Sequence, residues 1–150
     1  MAEKKISFEL ANKKKEIEEI YNFNVKAFAD SHDFLWTKEN ISKEIKIGWD
    51  LYSVRIDNDI ICAIFMKSEN NSLLTKNTPI KINYQGNGYS HIIKNFYEEY
   101  ARDNKVSSVY NYCPIDDFRM ISLNEGHDYS KTGKTLGGNE KMIEWKKDIK

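Results

Sequence analysis

The chain reads as an α+β (mixed α/β) domain, a mixed sheet flanked by helices, and three observations predict it. Segments in which apolar and polar residues alternate are interleaved with segments of helical period. In order they read β-α-α-β-β-β-α-β-α-β-β, with no internal repeat and no linker between them. The 150 residues are 40% hydrophobic and 13% aromatic, enough to build the core of one domain over residues 1–150 although mean hydropathy is negative.

Taken in order, Ile6, Phe8 and Leu10 alternate with polar residues and predict a first strand with one buried face. From Asn12 the period changes. Ile17, Ile20, Tyr21, Asn24, Val25 and Phe28 share a helical face, and the Lys13–Lys15 run lies outside it as a solvated helix start. Ser31 to Trp36 interrupt the pattern. Thr37 is placed to cap a second helix through Ile41, Ile45 and Trp49. Tyr52–Ile56 and Ile60–Met66 read as strands joined by Asp57-Asn58-Asp59, and Asn70-Asn71 makes the next turn. Leu73–Ile82 is a less regular strand, interrupted by Asn77-Thr78-Pro79. Gly86 and Gly88 open a helix with apolar positions Ile92, Ile93, Phe96, Tyr97 and Tyr100. Val106–Tyr112 is a strand, and Phe118–Leu123 a short helix ended by Gly126. The arms 128–136 and 141–149 form a last hairpin about Gly137-Gly138-Asn139.

Composition excludes several classes of function. The 23 basic and 23 acidic residues cancel, so no global field draws the chain to nucleic acid or anionic lipid. Cys62 and Cys113 make no CxxC pair and sit in apolar surroundings, as buried thiols of a reducing compartment do. No apolar run reaches the length of a membrane span, and the N-terminus leads straight into a strand pattern. A cytoplasmic protein with no metal, nucleic-acid or membrane partner is expected.

Chemistry concentrates between Ile80 and Ile93, which read strand, Gly-rich turn, helix. Two glycines let backbone N–H groups converge, and the helix adds its positive end, so the segment suits a phosphate. A plain turn in which Gly86 and Gly88 serve geometry alone is the alternative. Neither familiar nucleotide motif fits: the third glycine of GxGxxG falls on His91, and a phosphate loop ending at Gly133-Lys134-Thr135 needs a glycine where Asp128 stands.

Gln85-Gly86-Asn87-Gly88-Tyr89-Ser90 resembles the acetyl-CoA-binding motif of the GCN5-related N-acetyltransferases (the GNAT family), Arg/Gln-x-x-Gly-x-Gly/Ala between an apolar strand and an amphipathic helix. Gln85 and Gly88 match, Ser90 replaces the last small residue, and Ile82 stands where proline is common. The element order across the chain resembles that family's. The resemblance implies a central, mostly antiparallel sheet with about four helices, and acetyl-CoA as co-substrate. It implies that backbone N–H groups from Gln85, Gly86, Asn87, Gly88, Tyr89 and Ser90 hold the pyrophosphate, and that the pantetheine arm lies along Ile80, Lys81 and Ile82. An Ile80 or Lys81 N–H is then placed to polarise the thioester oxygen.

The implied reaction is direct attack on the thioester by a neutral primary amine, whether of a small molecule, a peptide or a protein. A base must take the amine's proton. Glu69 is the first candidate; a solvated turn residue is the alternative. Glu125-Gly126-His127 resembles the end of the family's last helix, with His127 in the aromatic place, whereas the Tyr often found four residues earlier is replaced by Ser122 (or Asn124, if the turn is shorter). Tyr129 and Tyr112 are the candidate substitutes for that acid, with a plain core position as the alternative for either of them among the nine tyrosines. Asn111, Cys113 and Asp117 lie near the place of the family's Asn after the fifth strand, and Asp117 is taken as a cofactor contact. His32 has a reading as an acceptor contact and a more ordinary one as a capping or packing residue. By analogy with the fold, a homodimer through the last strands is expected. Two other readings stay open, a catalytically inactive acyl-CoA-binding sensor of the same fold and an unrelated small α/β binding domain.

Overall fold

The computed structural model describes residues 5–27, 37–136 and 141–149. The chain groups into two compact units, Met1–Met66 with Asn77–Asn87, and Lys67–Lys76 with Gly88–Lys150.

In the first unit β1 (Ile6–Leu10), β2 (Asp50–Ile56) and β3 (Asp59–Glu69) pair antiparallel in that order. Asp57 and Asn58 both take left-handed φ, 49° and 73°, which matches the twist of a two-residue hairpin. Helices α1 (Lys14–Ala27) and α2 (Lys38–Lys46) belong to the same unit. Thr37 caps α2 as its sequence suggests, its hydroxyl accepting from the Asn40 N–H at 3.1 Å. Ile20, Ile41, Leu51, Ile60, Ala63 and Phe65 make the buried cluster, with Ile17, Tyr21, Phe23, Ile45 and Trp49 packed around it. Each large aliphatic side chain fully buried there contributes about 1.5–3 kcal/mol.

Two expectations for this unit are corrected. Val25 is exposed, and Phe23 packs instead. Helix α2 stops at Lys46, not Trp49, because the chain turns at Gly48 with φ 108°. The segment Ser31–Trp36, with His32, and Phe28 lie outside the described residues.

In the second unit Asn70 and Asn71, with φ 51° and 64°, turn β3 into β4 (Ser72–Asn77). Helix α3 (Tyr89–Asp103) carries the chain to β5 (Ser108–Pro114), which runs parallel to β4. A parallel neighbour cannot be reached by a tight turn, so a crossover helix is required. Helix α4 (Phe118–Gly126) follows, then β6 (Ser130–Leu136) and β7 (Met142–Asp148), with β7 antiparallel to both β5 and β6. The turn 137–140 lies outside the described residues.

The expected strand Leu73–Ile82 is also corrected. Regular pairing ends at Asn77 because Pro79 has no N–H to donate, and residues 82–84 form a 3₁₀ turn. Thr78 and Lys81 still donate their N–H groups to the Ala63 and Ile61 carbonyls of β3, at 2.9 and 2.7 Å. Helix α4 runs three residues beyond Leu123, to Gly126 itself.

The strand order is β1-β2-β3-β4-β5-β7-β6, with one parallel pair, β4 and β5. The described residues therefore make a mixed α+β fold on a mostly antiparallel seven-stranded sheet with four helices, in the predicted element order.

Candidate functional site

The segment between β4 and α3 holds itself in place. On its first-unit side, the Tyr84 hydroxyl donates to Asp59 Oδ2 at 2.8 Å, and Lys81 Nζ lies 3.2 Å from both Asp59 oxygens. Partial burial pushes the Asp59 carboxyl up, but the Tyr84 and Lys81 hydrogen bonds and the Lys81 charge together hold it below its usual range. Gln85 Nε2 donates to the Ile80 carbonyl at 2.7 Å, and Asn87 Nδ2 to the Tyr84 and Gln85 carbonyls at 3.2 and 3.3 Å. The side-chain amides thus engage three carbonyls of this turn. Ile80 is buried, whereas Ile82 is 79% exposed.

Gly86 takes φ 80° and Gly88 φ 82°, a left-handed conformation that L side chains rarely adopt. A Cβ at either position meets no atom within 4 Å, so the backbone conformation, not crowding, calls for glycine there. Gly88 is the N-cap of α3. No side chain caps this helix, and its first turn holds no acidic residue. The first N–H groups of a helix have no carbonyl four residues back and carry its positive end. An open, uncapped, non-acidic start of a 15-residue helix beside a conformationally required glycine fits a phosphate.

Asp117, by contrast, caps α4: its Oδ1 accepts from the Met120 N–H at 3.2 Å. Of the two N–H groups named for the thioester oxygen, that of Lys81 is taken by the Ile61 carbonyl, leaving that of Ile80.

The candidate acid and base fall in unlike surroundings. Glu69 ends β3, is exposed, and pairs with Lys67 at 3.6 Å. Tyr129 is 3% exposed, and its hydroxyl has no hydrogen-bond partner among the described residues. Burial, then the Glu98 charge, pushes the Tyr129 phenol well above its ordinary range. Tyr112 donates to Glu144 Oε2 at 3.0 Å and is likewise held up, first by burial and then by that carboxylate. Cys62 and Cys113 are buried free thiols, pushed up to about 12 and about 11, chiefly by desolvation.

A polar group absent from the sequence reading lies beside Tyr129. Lys94 of α3 is 2% exposed, donates to Asn124 Oδ1 of α4 at 2.6 Å, and sits 4.1 Å from the Tyr129 ring centroid. Burial lowers its amine to about 7 despite the nearby Glu98. Asn124 in turn donates to Asn111 of β5 at 3.1 Å. Glu98 accepts from Lys147 at 2.6 Å, and His127 contacts Glu98 at 3.6 Å and His91 at 2.8 Å. In sequence, Lys94 and Glu98 are spaced i, i+4, which is also the spacing of a solvated surface pair. Their burial follows from sharing the face of Tyr97 and Ala101.

Among the described residues no helix is long and apolar enough to cross a membrane, and no group of three or more His, Cys, Asp or Glu is placed to hold a metal.

The fold is that of the GNAT acetyltransferases. The ribosomal-protein-S18-alanine N-acetyltransferase of Escherichia coli superposes with a TM-score of 0.76 at 9% identity, over 97% of this chain and 94% of that one. A Bacillus subtilis acetyltransferase in complex with CoA gives 0.73 at 12% identity, over 97% and 99%. A GNAT-family acetyltransferase of Elizabethkingia anophelis with acetyl-CoA bound gives 0.71 at 13% identity, over 96% and 98%. No protein-family model and no curated protein matches the sequence itself.

Proposed function

We propose that the chain is an N-acetyltransferase that uses acetyl-CoA to acetylate a primary amine. The observation that carries the reading is the start of α3: Gly88 at φ 82°, uncapped, with no acidic residue in its first turn. It occupies the turn between β4 and α3 in a fold whose solved examples include CoA complexes. Acetyl-CoA, when bound, supplies the activated acetyl group. The N–H groups from Gly86 to Ser90 hold its pyrophosphate, that of Gln85 being taken by the Ile82 carbonyl at 3.3 Å, and the helix end balances the charge. The Ile80 N–H donates to the carbonyl oxygen as negative charge develops there. Glu69 takes the amine proton, directly or through water, and Tyr129 is the candidate to return one to the leaving sulfur.

A second reading, an acyl-CoA-binding module without turnover, is favoured by Tyr129, whose buried hydroxyl has no partner to pass a proton along.

Thermal shift with saturating acetyl-CoA tests the shared premise: stabilisation is expected, and none would remove both readings. Thiol release over a panel of amines separates them, because binding without turnover on any amine leaves the module. In the active enzyme, Glu69→Gln should lower kcat by about 100-fold, the order expected for loss of a general base. An unchanged kcat returns Glu69 to the role of a surface turn residue.

A further inference from the structure

His91 lies in the first turn of α3 and His127 is the C-cap of α4. Their rings stack with centroids 5.0 Å apart, and His91 Nδ1 is 2.8 Å from His127 Nε2, so one hydrogen must lie between them. Which ring donates follows from the partners. Glu98 Oε2 is buried, has no hydrogen-bond partner among the described residues, and lies 3.6 Å from His127 Nδ1. That carboxylate favours a proton on Nδ1, which makes His127 Nε2 the acceptor and His91 Nδ1–H the donor. His91 Nε2 is left as the bare nitrogen, on an exposed ring at the helix start.

We propose that His91 and His127 form a proton-binding pair that takes up one proton when a diphosphate binds at the start of α3. The proposal rests on the reading above that this turn takes a phosphate-bearing ligand. The proton comes from solvent and attaches to His91 Nε2; no other bond changes.

Without ligand, the charges that act on His127 oppose a further proton on the pair, Glu98 apart. The positive end of α3 disfavours a cation in its first turn. Lys94 on α3 and Lys147 on β7 add positive charge, and the one opposing carboxylate, Glu98, is already shared with Lys147 at 2.6 Å. Tyr129, packed under Lys94, stays a neutral phenol. Consistent with this balance, burial, His91 and the two lysines together hold the His127 imidazole below its ordinary value despite Glu98. A bound diphosphate brings negative charge to the same helix turn and reverses the balance. Coupling is reciprocal: if the ligand favours the proton, the proton favours the ligand. The pair's affinity for protons is higher in the complex, so binding is tightest below the titration range of the free pair and weakens as pH rises through that of the complex.

The test is a histidine side-chain NMR titration of the full chain from about pH 5.5 to 8, the range in which imidazole titrates. It is run alone, with 3′-dephospho-CoA, and with sulfate. The first ligand carries its diphosphate as a diester and the second is a fully ionised anion, so neither titrates in that window. With dephospho-CoA the midpoint of the pair should rise by about one unit, and its Kd should be up to about tenfold tighter at the acid end than at the alkaline end. His127→Phe keeps a ring against His91 but no shared hydrogen, and should lessen the pH dependence of Kd, since the hydrogen acceptor that supports the proton on His91 is gone. His91→Asn, at an exposed position, removes the nitrogen that takes the proton and should abolish the pH dependence of Kd; it decides the matter if the first variant does not fold. If dephospho-CoA binds with no movement of the pair, the inference falls and the functional reading stands. If dephospho-CoA does not bind but sulfate still raises the midpoint, the functional reading falls and the inference stands. If neither ligand moves the midpoint, the inference falls.

Discussion

Helices α3 and α4 begin in opposite ways. Helix α4 starts on Asp117, whose carboxylate satisfies the Met120 N–H and sets its own negative charge against the helix dipole. Helix α3 starts on Gly88, which has no side chain to offer and a left-handed φ that most residues avoid. Nine residues beginning at an ordinary cap close themselves off. Fifteen residues beginning at a bare glycine keep a positive, unsatisfied end. A short helix stabilised from within needs nothing from outside, whereas a helix end left uncapped at an exposed turn is open to water or to a ligand.

The largest expected effect breaks the α3 side of this contrast. Gly88→Trp places an indole in the open space beside the helix start, and acetyl-CoA affinity measured by calorimetry should fall by at least about 100-fold, near 2.7 kcal/mol. Far-UV circular dichroism should show the fold retained, since nothing lies within 4 Å of a Cβ at that position, although the left-handed φ costs the variant about 1–2 kcal/mol of stability.

Next comes the joint between the two helices, Lys94 to Asn124. The Lys94 amine is lowered to about 7, below its ordinary 10.5, so between those values the unfolded chain holds a proton that the folded chain does not. Stability therefore rises with pH across that window and falls as pH drops through it. Urea denaturation at about pH 7 and pH 9 should show a gain of more than about 1 kcal/mol in the parent protein and a much smaller one in Lys94→Met. Equal gains in both would show that Lys94 does not carry the effect.

Removing the cap of α4 is expected to act on stability alone. Asp117→Ala should cost about 1 kcal/mol in denaturation while leaving the Kd for acetyl-CoA within about twofold. A larger loss of affinity would make Asp117 a cofactor contact in addition to a cap.

The smallest effect sharpens the electrostatic part of the comparison. Asn and Asp both tolerate left-handed φ, so Gly88→Asn and Gly88→Asp differ mainly in charge. The Asp variant should bind acetyl-CoA about two- to fivefold more weakly than the Asn variant, the worth of one charge at a helix end. Added salt should narrow that gap.

Much of this was legible in the residues. Alternation in Ile6–Leu10, the Thr37 cap, the two asparagine-containing turns and the Gly86/Gly88 opening of α3 are local matters, each decided within a few residues, and together they were enough for the element order. The strand over 73–82 is shorter than its residues suggest, because Leu73, Leu74, Ile80 and Ile82 read as strand whether or not they stay in the ladder. Pro79 and the pull of Asp59 on Lys81 and Tyr84 decide that it leaves the ladder and curls into a 3₁₀ turn.

Sequence order by itself determined a mixed sheet with a crossover helix and a glycine-opened turn, because period, capping and turn chemistry act at short range. Only the tertiary structure decided which polar side chains are buried together. Lys94 and Glu98 resemble any solvated i, i+4 pair until α3 is packed. His91 and His127 are 36 positions apart and meet only because one begins a helix where the other ends one. The energy of such groups depends on the charges and the water around them after folding, and no local pattern records either.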